Sequence, residues 1–425
     1  MKIILVNRHF FPDRSPISRL LSDLAFHLAA LGREVHVVTS RMRLDNSRVT
    51  LKPYEEIYGV HIHRVWTSRF GSGLLLGRGV NDLTFHQATE RKLLKLVSKG
   101  DRVVVKSDPP MLTSLVAGVS YRRNAVQINW LHEIFPEIAI AAEVHGLSGW
   151  FGRQLRTLST RTFRSSFVNI VPGESMRRTL VEERGIPPDR VRVIRDWTDG
   201  REITPSRTDE ENPLRDEWGL RGKFVLAYVG RIERTCEYHA ILDAADRLRG
   251  EREIRFLFIG EGSQLNTLKK DARKHNLGNL LFKPPQEGER LRWSLLLPDI
   301  HLLSTHAGAE GYILPEGFYR IAAAGKPLIY IGDKQGEVAH WIQLARIGTS
   351  VGTREGLKLA RRILVMRLAP ERLERMGENA RKLYRARFSS GRALAKWIEL
   401  LGLEDPSEFS GNGDSENSGI GFEVE

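Results

Sequence analysis

The chain has 425 residues, with 65 Lys and Arg against 52 Asp and Glu, a net charge of +13, and 41% apolar residues. That length suits two domains, and the apolar share is too high for a largely disordered protein. A single cysteine, Cys236, excludes an internal disulfide framework and any multi-cysteine metal site, which fits a reducing compartment.

The opening run Met1 to Phe11 is broken by Asn7, Arg8 and His9 and is too short for a signal-peptide core. No stretch of roughly 18 apolar residues exists to cross a bilayer, so a soluble or peripheral protein is expected. Residues 404–425 carry seven acidic side chains and no basic one among Gly, Ser and Asn, the composition of a disordered acidic tail. Without them the body carries +20, which favours anionic partners such as phosphates, acidic lipid headgroups or nucleic acid.

In chain order, Ile3 to Val6 reads as a strand, and Leu20, Leu21, Leu24, Ala25, Leu28 and Leu31 recur at helical spacing up to Gly32. Strands follow at Val35 to Thr39 and Val60 to Val65, then a helix at Asp82 to Val97. Further strands are expected at Arg102 to Lys106, Ala125 to Leu131, Ser166 to Val171 and Val191 to Arg195. This alternation defines a first α/β domain, residues 1–196. The polar, proline-containing stretch 197–213 reads as a linker. Alternation restarts over 214–403, with strands at Phe224 to Val229, Ile254 to Ile259, Leu280 to Lys283, Ile300 to Leu303 and Leu328 to Ile331. Two such open sheets form a cleft and bind ligands at the carboxyl ends of their strands.

Several segments sit at those ends. After the first strand, Asp13, Ser15 and Ser18 precede a helix whose free amides suit phosphate or sugar hydroxyls, although capping alone also explains the serines. Gly230-Arg231-Ile232-Glu233-Arg234 places two arginines beyond a strand, able to grip a diphosphate or simply to be solvated. Gly260-Glu261-Gly262 is a weak dinucleotide signal and equally a tight turn. His132 and Glu133 end a strand and can handle protons there. Glu310, Gly311, Tyr312 and Ile313 lead into an alanine-rich helix closed by Gly325 and Pro327. His61 and His63 share a strand face without an apparent third ligand, so no metal site is expected. Two stretches mix arginines with apolar side chains, as an anionic membrane surface or a packed amphipathic helix would require: Arg64, Arg69 and Arg78 around Trp66, Phe70 and Leu74 to Leu76, and Arg153, Arg156, Arg161 and Arg164 within Trp150 to Phe167.

Taken together, FPDRSPISRLLSDLAFHLAALG, KSDPPMLTSL, NWLHEIFPE, VPGESM, VIRDWTDG, FLFIGEG, AEGYILPEGFYRIAAAGKP and IGDKQGEVA resemble, in order and spacing, the bacterial family 4 glycosyltransferases of cell-surface polysaccharide and lipopolysaccharide biosynthesis. The resemblance covers nearly all of residues 1–400. It implies a GT-B fold, two Rossmann-like domains facing each other across a cleft, and retaining sugar transfer from a nucleoside diphosphate sugar without a metal ion or other cofactor. The acceptor it implies is a glycan or lipid-linked sugar at the cytoplasmic face of the membrane, with peripheral contact to anionic lipid. It assigns His132, Glu133 and Glu310 to catalysis. Arg234 and Gly311 match its donor positions, and Gly230, Arg231, Gly260, Gly262, Tyr312 and Ile313 are expected beside them at the donor, with Asp13, Ser15 and Ser18 on the acceptor side.

The chain also departs from the family pattern. Pro315-Glu316-Gly317 replaces the common Pro-Ser-Lys, Arg231 and Glu233 stand where small or amide residues and glycine are usual, and Arg320 takes the place of the second Glu of a spaced pair. Either Arg231 restores the lost positive charge in an active enzyme, or the protein is a degenerate partner or regulator of an active transferase. Charge alone supports a nucleic-acid binder, with no specific motif for it.

Overall fold

β1, Ile3–Val6, is buried along its whole length, as a strand covered on both faces must be, and its continuous apolar run reflects this. The computed structural model describes residues 1–13, 15–43, 49–70, 75–144, 146–198, 200, 203 and 212–403. The expected acidic tail, most of the expected linker and residues 71–74 lie outside them.

Around β1 the first sheet gathers β2 (Val35–Ser40), β3 (Tyr54–Ile57), β4 (Val60–Val65), β5 (Arg102–Lys106), β6 (Val126–Trp130), β7 (Val168–Val171) and β8 (Val191–Val193) in the order β3-β4-β2-β1-β5-β6-β7-β8. Only β3 runs antiparallel, pairing Tyr54 with His63. The second sheet is parallel throughout: β9 (Phe224–Val229), β10 (Ile254–Ile259), β11 (Leu280–Lys283), β12 (Ile300–Ser304), β13 (Leu328–Ile331) and β14 (Gly348–Val351), in the order β11-β10-β9-β12-β13-β14.

β3 and β14 were not among the sequence expectations. β3 reads YEEI and alternates exposed and half-buried on a sheet edge, and β14 reads GTSV; neither carries an apolar run. The long helix after β4 starts at Leu75, ahead of the expected Asp82.

Strand order reverses between β1 and β5 in one sheet and between β9 and β12 in the other, the places where such sheets open a crevice. The carboxyl ends of both sheets meet. Ile134 N donates to Tyr312 O at 2.8 Å, and Glu133 pairs with Ile313 as an antiparallel bridge. The last described helix, Ser390–Leu400, returns to the first domain, where Trp397 packs with Trp130 at 4.7 Å and shares a core with Ile3, Leu5 and Trp197.

His301, on β12, is fully buried and its Nε2 lies 2.8 Å from Leu295 O. Burial pushes its pKa down to about 4. Because the folded value lies below the unfolded one, the neutral ring's stability is complete above pH ~6.5 and is lost as pH falls toward 4, a loss of about 3 kcal/mol. His301→Gln should flatten the fall of denaturant midpoint between pH 7 and 5; an unchanged slope would assign the acid sensitivity elsewhere.

Candidate functional site

On the first-domain side, the loop after β1 is held by its own side chains. Ser15 Oγ accepts from Ser18 N at 3.2 Å, capping the helix Pro16–Ala30, and Ser18 Oγ donates to Asp13 O at 2.9 Å. Both serines are therefore used locally. Asp13 is buried, with a carboxylate oxygen 3.3 Å from His9 Nδ1. Arg64, grouped by sequence with a membrane-facing cluster, is instead turned inward to Glu55 and to Phe11 O at 2.8 Å, because burial of a guanidinium requires such partners.

Several charged side chains gather where β5 and β6 end. Lys106, the last residue of β5, is fully buried with its Nζ 3.9 Å from the centre of the Trp130 ring and without a hydrogen-bond partner. His132 lies two residues beyond Trp130. Its Nε2 is 2.8 Å from Glu316 Oε1 of the second domain, and its Nδ1 is 3.3 Å from Asp196 Oδ2, close enough for charge attraction but not aligned as a hydrogen bond. Burial alone would lower the imidazole pKa, but the Glu316 and Asp196 carboxylates outweigh it and raise it to about 10. His132 is thus an imidazolium at neutral pH. Its neighbour Glu133 is shifted the other way, raised by burial toward the neutral acid, and burial lowers the Lys106 pKa.

On the second-domain side, Gly260 and Gly262 serve packing. A Cβ on Gly260 would lie 1.9 Å from Gly230 O, and one on Gly262 2.3 Å from Ile232 O, so only glycine lets the β9 and β10 loops touch. Arg231 is engaged by two acids, Glu233 at 2.7 Å and Glu261 at 3.3 Å. Glu233 also accepts from Ser263 Oγ at 2.6 Å. Arg234 is exposed and forms no ion pair among the described residues. It is the more available cation of the two.

Glu310 is anchored: Tyr330 Oη donates to it at 3.0 Å, and Glu337 N, opening the helix Glu337–Ala345, at 3.1 Å. Burial raises its pKa. Gly311, Tyr312 and Ile313 run against the first domain through the Ile134 and Glu133 backbone contacts, and Glu337 continues that seam by accepting from Ser175 N at 2.9 Å and Ser175 Oγ at 3.1 Å. The alanine-rich helix Gly317–Ala324 ends on Gly325 in the left-handed region, φ 62°.

The structure therefore brings His132, Glu133, Tyr312, Ile313 and Glu316 together, while Asp13, Ser15 and Ser18 lie in the loop after β1 and Gly230, Arg231, Arg234, Gly260 and Gly262 at the ends of β9 and β10. Sequence reasoning missed Lys106 and Asp196. A lysine closing the run RVVVK of a strand buried on both faces was the available signal for the first. For Asp196 there was none, since its pairing crosses chain segments. Sequence also missed His36, which stacks on His61 at 4.7 Å and sets its Nδ1 3.1 Å from His63 Nε2. Among the described residues no group of three His, Cys, Asp or Glu is arranged to hold a metal ion.

Comparison with known proteins gives matches along most of the chain. Residues 17–197 match the glycosyl transferase 4-like domain and residues 210–383 the glycosyl transferases group 1 domain. A probable glycosyltransferase of Pseudomonas aeruginosa, WbjE, is 25% identical over 334 residues, covering 78% of this chain and 82% of its own. The putative colanic acid biosynthesis glycosyl transferase WcaI of Escherichia coli K12 is 24% identical over 351 residues, 76% and 82% respectively. Among solved structures, Anabaena HepE in complex with UDP-glucose superposes with a TM-score of 0.71 at 14% identity, covering 95% of this chain and 99% of its own. The fold is thus GT-B, with two Rossmann-like domains.

The glycine packing predicts a separation of roles. Gly260→Ala should destabilise the protein by about 1–3 kcal/mol through overpacking. Gly278→Ala, with open space around it, should change the denaturation midpoint little. Equal effects would refute the close approach of the two loops.

Proposed function

Because the chain belongs to the glycosyltransferases that join a 4-like domain to a group 1 domain, we propose that it transfers a sugar, with retention, from a nucleoside diphosphate sugar to a glycan or lipid-linked acceptor in cell-envelope polysaccharide synthesis. The observation that carries this reading is the meeting of two strand-end crevices around one buried charge cluster, with HepE's UDP-glucose complex as the fold precedent for the donor class. The polysaccharide assignment leans on WcaI, whose name places it in colanic acid biosynthesis.

The residues divide the work. Arg234 and the start of the helix Gly317–Ala324 meet the charge that develops on the departing diphosphate, with no metal or cofactor called on. Arg231 joins them once released from Glu233 and Glu261. His132 is held as a cation, so it orients and stabilises and does not accept a proton. Glu133 is held toward its acid form, and the Glu310 oxygens are taken by Tyr330 and Glu337 N. In a front-face transfer the acceptor calls on none of these three as a base on the far side of the sugar. Its hydroxyl proton then leaves with the diphosphate oxygen on the same face, while the sugar–diphosphate C–O bond breaks and the new C–O bond forms. That is the stereochemistry of retention.

The acceptor reading adds a membrane at the cytoplasmic side. No described helix is long and apolar enough to cross a bilayer. The helix Trp150–Ser165 exposes Trp150, Phe151 and Leu158 beside Arg153 and Arg161, while Arg156 and Arg164 fold back onto Glu137 and Gly185 O. Aromatic and basic side chains in that mixture suit an anionic lipid surface.

Calorimetry with UDP- and GDP-sugars should show binding, with Arg234→Ala weakening it about tenfold or more, the loss expected of a charge-assisted contact. Absence of binding at millimolar ligand would overturn the donor assignment. Separately, W150A/F151A should reduce sedimentation with anionic vesicles and leave neutral vesicles unaffected; unchanged sedimentation would remove this helix from the membrane contact.

A further inference from the structure

Glu316 reaches from the second domain into a cluster of charged side chains on the first, keeping 24% of its side chain exposed. Its carboxylate lies 2.8 Å from His132 Nε2, and Arg320 and Lys106 add their charges to the pull on it. The helix Gly317–Ala324 begins at the next residue, yet the Glu316 side chain makes no capping hydrogen bond to it and reaches across to the first domain. A helix start and three cations thus converge on one small anion.

The surrounding atoms point to an occupant larger than a carboxylate. Lys106 Nζ and Asp196 Oδ1 are buried without hydrogen-bond partners, and His132 Nδ1 and Asp196 Oδ2 meet only one another, at 3.3 Å and not aligned as a hydrogen bond; Lys106 is 0%, Asp196 2% and His132 8% exposed. Such under-satisfied atoms at one place are rare, because buried polar groups are nearly always paired. A lysine wanting an acceptor and a carboxylate wanting donors are complementary to hydroxyl groups, which supply both. Phosphate oxygens, in turn, match the imidazolium and guanidinium.

We propose that Glu316 is an exchangeable stand-in for the donor phosphate, holding the two domains together until a sugar nucleotide takes its place. On entry, phosphate oxygens replace the carboxylate beside His132 Nε2 and Arg320, and hydroxyls of the transferred sugar pair with Lys106 and Asp196. Glu316 is then a specificity-determining residue, since only an anion able to outcompete a tethered carboxylate gains the seat. The proposal rests on the nucleotide-sugar reading above.

The test compares the full chain with E316Q, E316S and E316Q/K106M, titrating UDP, GDP and inorganic pyrophosphate by calorimetry and following ligand-dependent melting. Glu316→Gln leaves His132 with Asp196 as its one remaining carboxylate, so a lower melting temperature is expected; E316S provides a smaller side chain should the amide fold poorly. The expected result is about tenfold tighter nucleotide binding by the Glu316 variants, the size of one removed close charge, with a larger ligand-induced melting shift than the natural chain shows. Adding Lys106→Met should take part of that gain back. Nucleotide binding with equal affinity to the natural chain and the Glu316 variants would overturn the exchange and leave the donor reading intact. Lower melting with no gain in affinity would likewise overturn it, reducing Glu316 to a structural clamp. Tighter binding of pyrophosphate alone would support the exchange and refute the nucleotide donor, and no binding to any variant would refute both.

Discussion

A single imidazolium between two carboxylates organises the cleft. His132 comes from the first domain, Asp196 from the segment that leaves it, and Glu316 from the second. Each group alone would be costly to bury as a charge, and each is kept charged by the others. The backbone seam of Ile134 with Tyr312 and of Glu133 with Ile313 lies alongside, so the relative placement of the two sheets and the electrostatics of the site are one problem. A change at any of the three groups is felt at the interface and in the site at once.

The charge departures that set this chain apart also form one arrangement. Arg231 is balanced by Glu233 and Glu261, and Glu316 by His132, Arg320 and Lys106. Seen one at a time in the sequence, these departures left open either an active enzyme with an altered donor site or a degenerate partner of one. In three dimensions each of these charges has a counter-charge.

Most of the fold was legible because buried parallel strands write themselves as short apolar runs. Ile3–Val6, Phe224–Val229 and Ile254–Ile259 were readable for that reason, whereas YEEI and GTSV lie on sheet edges and carry no such mark. The site was legible in its positions and much less so in its contacts. Helix capping by Ser15 follows from local sequence, but the inward turn of Arg64, the pairing of Asp196 with His132 and the third histidine His36 beside His61 and His63 depend on strand order and domain contact. The acidic stretch after Leu403 was legible only as composition.

The return of the terminal helix carries a consequence for how the protein is made. Trp130 and Trp197 are synthesised early, but the core they belong to also contains Ala393, Trp397, Ile398 and Leu401. At roughly 5–20 residues per second a ribosome needs on the order of 10–40 s to travel from Trp197 to Trp397. During that interval the first sheet must wait with an apolar face open while the second domain emerges and folds. The N-terminal half is therefore completed last in space although first in synthesis, and it is the half that a nascent-chain chaperone would have to cover.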